Sequence, residues 1–190
     1  VEAALARCGR IDAVVNNTGH APGGDLLSID DESWHAGLDL LLLNVVRMSR
    51  LVTPVMLNQG GGSIVNVSSN AGLLPRAHDP VYSISKGSLV SLTKSLALCH
   101  APDKVRINAV CPGPVGWTRM MEADLAGAED RDAMAQKFIN ASPLAKAYDR
   151  LTDPREIAFS VLYLVSDVAA MVTGTAVGID GGKSLGVPPV

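Results

Sequence analysis

Cysteine is scarce in this chain, and what there is does not pair. Cys8, Cys99 and Cys111 are odd in number and scattered, with no Cys-x-x-Cys spacing. That argues against a redox dithiol, a thiolate metal site or a disulfide framework, and points to reduced thiols. His20, His35, His78 and His100 show no ligand spacing either, so no metal is expected. Excess positive charge is also missing. Sixteen Lys and Arg against nineteen Asp and Glu leave a net charge of −3, which favours neither nucleic acid nor an anionic membrane. The most apolar stretch, Leu38 to Leu57, is broken by Asp39, Asn44, Arg47 and Arg50, so no membrane span is expected there. No signal-peptide pattern occurs, and the expected location is cytoplasmic. Three Asn-x-Ser/Thr matches, at Asn16, Asn66 and Asn140, are then chance.

What is present suits a globular α/β domain. Of 190 residues, 47% are hydrophobic and 18% charged, enough for one substantial core over residues 1–190. Strand and helix patterns alternate. Glu2 to Cys8 reads as a helix stopped at Gly9, and Ile11 to Val15 as a short buried strand. Trp34 to Leu57 has helical spacing, with Gly60-Gly61-Gly62 as a breaker. Ile64 to Val67 is the next strand, Val81 to Cys99 a helix, and Val105 to Val110 a strand. Thr118 to Ala147 is irregular and predicts one or two helices in a mobile excursion. Asp153 is placed to cap a helix with Pro154 first and Glu156 closing a capping box; that helix runs to about Val165. Thr175 to Ile179 is a last strand, turned by Gly181-Gly182. Repeated β-α-β units predict a doubly wound parallel sheet with helices on both faces.

Tyr82 and Lys86 lie four residues apart on one helix, so phenol and ammonium share a face. An ammonium beside a phenol favours phenolate and lowers its pKa. Such a tyrosine can exchange a proton with a carbonyl or alcohol. Ser69, thirteen residues before Tyr82, can hydrogen-bond the same oxygen, where charge develops. By itself Tyr-x-x-x-Lys is a common surface pair. Here it stands with Asn16-Asn17-Thr18-Gly19, with the Gly62 to Ser69 strand, and with Arg106 to Gly113, which ends in Pro112-Gly113. In an open parallel sheet, ligands bind beyond the carboxyl ends of the strands, where these segments fall.

In this order the motifs resemble the short-chain dehydrogenase/reductase family, from about Val1 to Gly182. The resemblance implies a Rossmann-like fold and an oxidoreductase moving hydride between NAD or NADP and a carbonyl/alcohol substrate, within a homo-oligomer (tetramer or dimer). Tyr82 would carry the proton, Ser69 hold the substrate oxygen, and Lys86 tune Tyr82 and bond the nicotinamide ribose. Asn17 would contact the nucleotide and Gly19 its adenosine half. Pro112, Gly113 and Val115 would flank the nicotinamide, with Thr118 near its carboxamide or diphosphate. Trp117, Met120 and Met121 would cover the substrate.

Three departures accompany the resemblance. The family's opening Thr-Gly-x-x-x-Gly-x-Gly turn is absent. The chain is therefore expected to be N-terminally incomplete, lacking the first βαβαβ portion, on the order of 60–75 residues. Leu41 stands at the position of the family's active-site asparagine, with Asn44 one turn on. One extra residue precedes Thr118. The alternative reading is a non-catalytic module acting only through association. A related epimerase or dehydratase would share the Tyr-Lys pair, but the Asn-Asn-x-Gly strand end, the serine spacing and Asp180-Gly181-Gly182 favour the dehydrogenase branch.

Overall fold

The computed structural model describes residues 1–20 and 23–186. Four parallel strands, β1 (Ala13–Asn16), β2 (Gly62–Val67), β3 (Val105–Pro112) and β4 (Ala176–Ile179), form one sheet in the order β1-β2-β3-β4. In-register partners include Val14 with Ile64, Ile64 with Ile107, and Val110 with Val177. Helices α1 (Glu2–Cys8), α2 (Asp31–Leu38), α3 (Asn44–Asn58), α4 (Pro80–His100), α5 (Arg119–Ala126), α6 (Arg131–Asn140), α7 (Pro143–Tyr148) and α8 (Pro154–Val165) connect or flank these strands. Alternate strand residues face opposite sides of the sheet. Ile64, Val105 and Ile107 pack with Val52 and Met56 of α3 and Ala97 of α4. Val65 and Val110 pack on the other face against Leu164 of α8. The central strands are thus covered on both faces, as the alternating pattern predicts, whereas β1, expected to be buried, leaves Ala13 and Val15 exposed on one face because no helix among the described residues packs there.

Local chemistry sets the element ends. Gly9, at φ 72°, closes α1, and the Asp30 carboxylate accepts from Ser33 N at 2.8 Å to open α2. The helical stretch from Asp31 to Asn58 starts three residues earlier than Trp34 and is interrupted by a wide turn over Asp39–Leu43, where Asn44 N donates to Asp39 O. By length and hydropathy alone this stretch could cross a bilayer. Its Val52 and Met56 are instead buried in the sheet-facing core. The first strand begins at Ala13 rather than Ile11. The Gln59 side chain takes both backbone groups of Ile11, accepting from its N–H and donating to its carbonyl, so Ile11 is withdrawn from the ladder. The irregular segment from Thr118 holds three helices rather than one or two, opened at Thr118, Asp130 and Ser142, the last with Pro143 at its first position. The capping box of α8 is complete: Asp153 accepts from Arg155 N and the Glu156 side chain from Asp153 N.

Candidate active site

The site forms where β2 and β3 end. Beyond Val67, Ser68 still donates its N–H to Val110 O at 2.8 Å. The chain then tightens into a turn over Asn70–Gly72 that Ser69 caps. Ser69 Oγ accepts from Ala71 N at 3.1 Å and donates to Asn70 Oδ1 at 3.3 Å, so a buried hydroxyl is held at the strand end. Opposite it runs α4, opened by Pro80, a residue suited to a first helical turn. Tyr82 and Lys86 follow one turn apart and are 8% and 3% exposed. Helix and strand are tied twice. Lys86 Nζ donates to Val67 O at 2.9 Å, and Ser68 Oγ donates to Lys86 O at 2.8 Å. Lys86 Nζ lies 5.6 Å from the Tyr82 ring centroid. Burial pushes the Lys86 amine down to about 8, against a smaller opposing effect of Cys111. It remains an ammonium near pH 7.

The strand end carrying Asn17 is anchored by a buried polar chain. Asn16 Nδ2 donates to Asn66 Oδ1 at 2.8 Å, and Asn66 Nδ2 to Thr93 Oγ1 at 2.9 Å, linking β1 through β2 to α4. Two glycines permit close approaches at the site. A side chain at Gly19 would begin 3.1 Å from Lys86 Nζ. One at Gly113 would meet Asp180 Cα at 2.8 Å, a backbone that cannot yield. Asn17, Gly19, Ser69, Tyr82, Lys86, Pro112, Gly113, Val115 and Thr118 all line one cavity of about 470 Å³. That volume lies in the range of small-molecule and cofactor sites. The Lys86 ammonium, the side-chain-free wall at Gly19 and the close approach of the strand ends of β3 and β4 at Gly113 and Asp180 fit part of a nicotinamide nucleotide. Asn17, Gly19, Lys86, Pro112, Gly113, Val115 and Thr118 are the residues that would hold it.

Residues 1–184 match the family model described as Enoyl-(Acyl carrier protein) reductase. The 4-formylbenzenesulfonate dehydrogenase TsaC1/TsaC2 of Comamonas testosteroni is 37% identical over 186 residues, 97% of this chain and 71% of that protein. The 3-oxoacyl-[acyl-carrier-protein] reductase FabG of Thermotoga maritima is 35% identical over 182 residues, 96% of this chain and 70% of that protein. A crystal structure from Burkholderia xenovorans assigned to the short-chain dehydrogenases/reductases superposes with a TM-score of 0.90 at 34% identity, covering 98% of this chain and 70% of the other. The chain belongs to the short-chain dehydrogenase/reductase family. It is an oxidoreductase with that family's Rossmann-like parallel sheet.

Within this short-chain dehydrogenase/reductase, Gly19 and Lys86, which the resemblance gives to the adenosine half and to the nicotinamide ribose, are neighbours. Gly19 therefore sits at the Lys86 end of the cavity. Trp117 is 70% exposed and does not line the cavity, whereas Met120 and Met121 do. Trp117 takes a left-handed conformation, φ 54°, which turns the chain before α5 begins. Thr118 is spent partly on capping, accepting from Met121 N at 3.2 Å and donating to Val115 O at 3.1 Å. Leu41 is fully buried and clusters with Ala71 and Tyr82, while Asn44, just beyond the wide turn, does not line the cavity. Sequence reasoning missed Arg76, Asp124, Phe138 and Lys183, which also line it. For Lys183 a signal existed, since it follows the last strand's carboxyl end. Arg76 carried none beyond its place in the loop before α4.

Proposed function

We propose that residues 1–190 act as one domain that interconverts a carbonyl and an alcohol with NAD or NADP as cofactor. The observation that carries this reading is the convergence of Ser69, Tyr82 and Lys86 on one cavity of about 470 Å³ that Gly19 and Gly113 also line. When bound, the nicotinamide supplies or accepts the hydride. The Tyr82 hydroxyl gives a proton to the carbonyl oxygen as that oxygen becomes an alcohol, and takes it back in the reverse direction. Ser69 Oγ donates to the same oxygen, exchanging its long 3.3 Å bond to Asn70 for one to a more negative acceptor. Lys86 keeps a positive charge 5.6 Å from the Tyr82 ring, which favours the phenolate that alcohol oxidation requires. It is also within the cavity to meet a ribose hydroxyl. Small carbonyl compounds, aldehydes among them, are the substrate class, consistent with the formyl and 3-oxoacyl groups in the names of two relatives. A cytoplasmic homo-oligomer is the expected form.

The test is Tyr82→Phe, with oxidation of NADH and of NADPH followed across a panel of aldehydes and ketones. Turnover is expected to fall by about 10²–10⁴-fold, with the circular dichroism spectrum and melting curve unchanged. A variant that keeps its turnover has another proton donor, and the assignment fails.

A further inference from the structure

One wall of the cavity carries more positive charge than the proton chemistry above uses. Arg76 lies in the loop before α4, its guanidinium carbon 5.0 Å from the Tyr82 ring centroid. The loop is pinned there because Arg76 N donates to Ser83 Oγ at 3.0 Å. Among the described residues, the only hydrogen bond of the guanidinium is a long one from Nη1 to Asp79 Oδ2, 3.3 Å. Four of its five N–H groups remain to be satisfied by water or a ligand. Lys183 reaches the same cavity from the turn after β4. Its amine is pushed down by burial and by the charge of Arg76, against a smaller pull from Asp180. The Asp180 carboxylate is already engaged by Gly182 N at 3.0 Å and Ser184 N at 2.8 Å. Among the described residues it forms no ion pair with Lys183 within 4.0 Å. Arg76 and Lys183 therefore repel each other across a shared wall. With Lys86 they make three cations against a single lining carboxylate, Asp124. An anion between Arg76 and Lys183 relieves that repulsion and gains charge-assisted hydrogen bonds.

We propose that the Tyr82 end of the cavity selects substrates bearing an anionic group, a carboxylate or a sulfonate, held by Arg76 and Lys183 beside the reacting oxygen. This rests on the assignment of Tyr82 as the proton carrier. An alternative source of the anion is the cofactor diphosphate, but Arg76 sits on the ring of the residue that must meet substrate.

Benzoate, neutral benzamide and inorganic pyrophosphate are titrated calorimetrically into the protein and into Arg76→Leu, Lys183→Met and the double variant. Benzoate is expected to bind about tenfold tighter than benzamide, and the double variant to lose that preference. Lys183→Met alone, at a half-buried surface turn, should lose part of it, which guards against misfolding in the double variant. Equal binding of the two probes, no binding of either, or a preference surviving in the double variant overturns the proposal. So does a double variant that weakens pyrophosphate alone, since the cations then serve the cofactor. Benzoate binding needs no turnover. Its loss is therefore read separately from activity retained in Tyr82→Phe, which would sink the proton assignment and with it the placement of the anion beside the reacting oxygen.

Discussion

Lys86 is the residue whose proposed role costs stability. An amine titrating near 10.5 in an unfolded chain falls to about 8 in the fold, chiefly through burial. Between those values the unfolded state binds more protons than the folded one, so stability rises with pH across that window. The penalty is fully present below about 8 and has gone above about 10.5. Its size is about 3 kcal/mol, offset in part by the 2.9 Å bond to Val67 O, a contribution of about 1 kcal/mol. Lys86→Met is therefore expected to be about 2 kcal/mol more stable than the parent near pH 7, with the gap closing as pH approaches 10.5. Urea unfolding of both proteins at the two pH values measures it; a gap that stays constant with pH denies that the ammonium is the cause. Ser85, next along the helix, makes a simpler case. Its buried Oγ has no partner among the described residues, so Ser85→Ala should hold or slightly raise the melting temperature, by up to about 1 kcal/mol equivalent. The Ser69, Tyr82 and Lys86 set was legible in the sequence because helix spacing and a strand end fix it locally. Arg76 was not, because a loop residue's reach depends on a pinning bond, here to Ser83, that no periodicity announces.

Elements whose ends are set by short-range chemistry were the legible ones. The α8 start could be read from Asp153, Pro154 and Glu156 because all its partners lie within three residues. The β1 start could not, since Gln59, far along the chain, decides it. The wide turn at Asp39–Leu43 was hidden for a related reason: one extra residue in a helical run leaves the apolar pattern nearly intact. Two predictions belong to this scale. Glu156 sits near pKa 2, held down first by Arg150 and then by the Asp153 amide. A carboxylate lowered in this way contributes stability above about 4.5, lost as pH falls toward about 2. The pair is largely solvent-exposed, so the amount is small, below about 1 kcal/mol. Glu156→Gln should lower the melting temperature near neutral pH and flatten its decline between pH 4.5 and 2.5; parallel acid curves for the two proteins would remove Glu156 from the account. Asn66 joins β1 to α4 through one partly buried and one buried bond. Asn66→Ala strands Thr93 and Asn16 partners and should cost about 2 kcal/mol in urea unfolding.

At the scale of the whole molecule, the rule that ligands gather at strand carboxyl ends groups the sequence motifs into one site, and Asn17, Gly19, Ser69, Tyr82, Lys86, Pro112 and Gly113 from them line one cavity, although Asn16, Thr18 and Trp117 do not. Lys183 falls under the same rule, but its relation to Arg76 exists only once β4 is laid beside β3. The surface exposes large apolar side chains in several places, and those of one helix lie together. Helix α8 buries Leu164 against the sheet, yet its far side presents Phe159 at 66%, Leu162 at 61% and Tyr163 at 46% exposure. A helix that is apolar all round is ordinarily covered, and a cluster of large exposed side chains marks an association surface. A second copy packed on this face accounts for the pattern and for the expected homo-oligomer. Sedimentation velocity should then show a dimer or larger species, and Phe159→Glu with Leu162→Glu should shift it to monomer while leaving the circular dichroism spectrum intact. The two glutamates would each face apolar surface or like charge across a symmetric contact, at a cost of several kcal/mol per pair. A parent that sediments as a monomer, or an oligomer indifferent to both charges, places the association elsewhere.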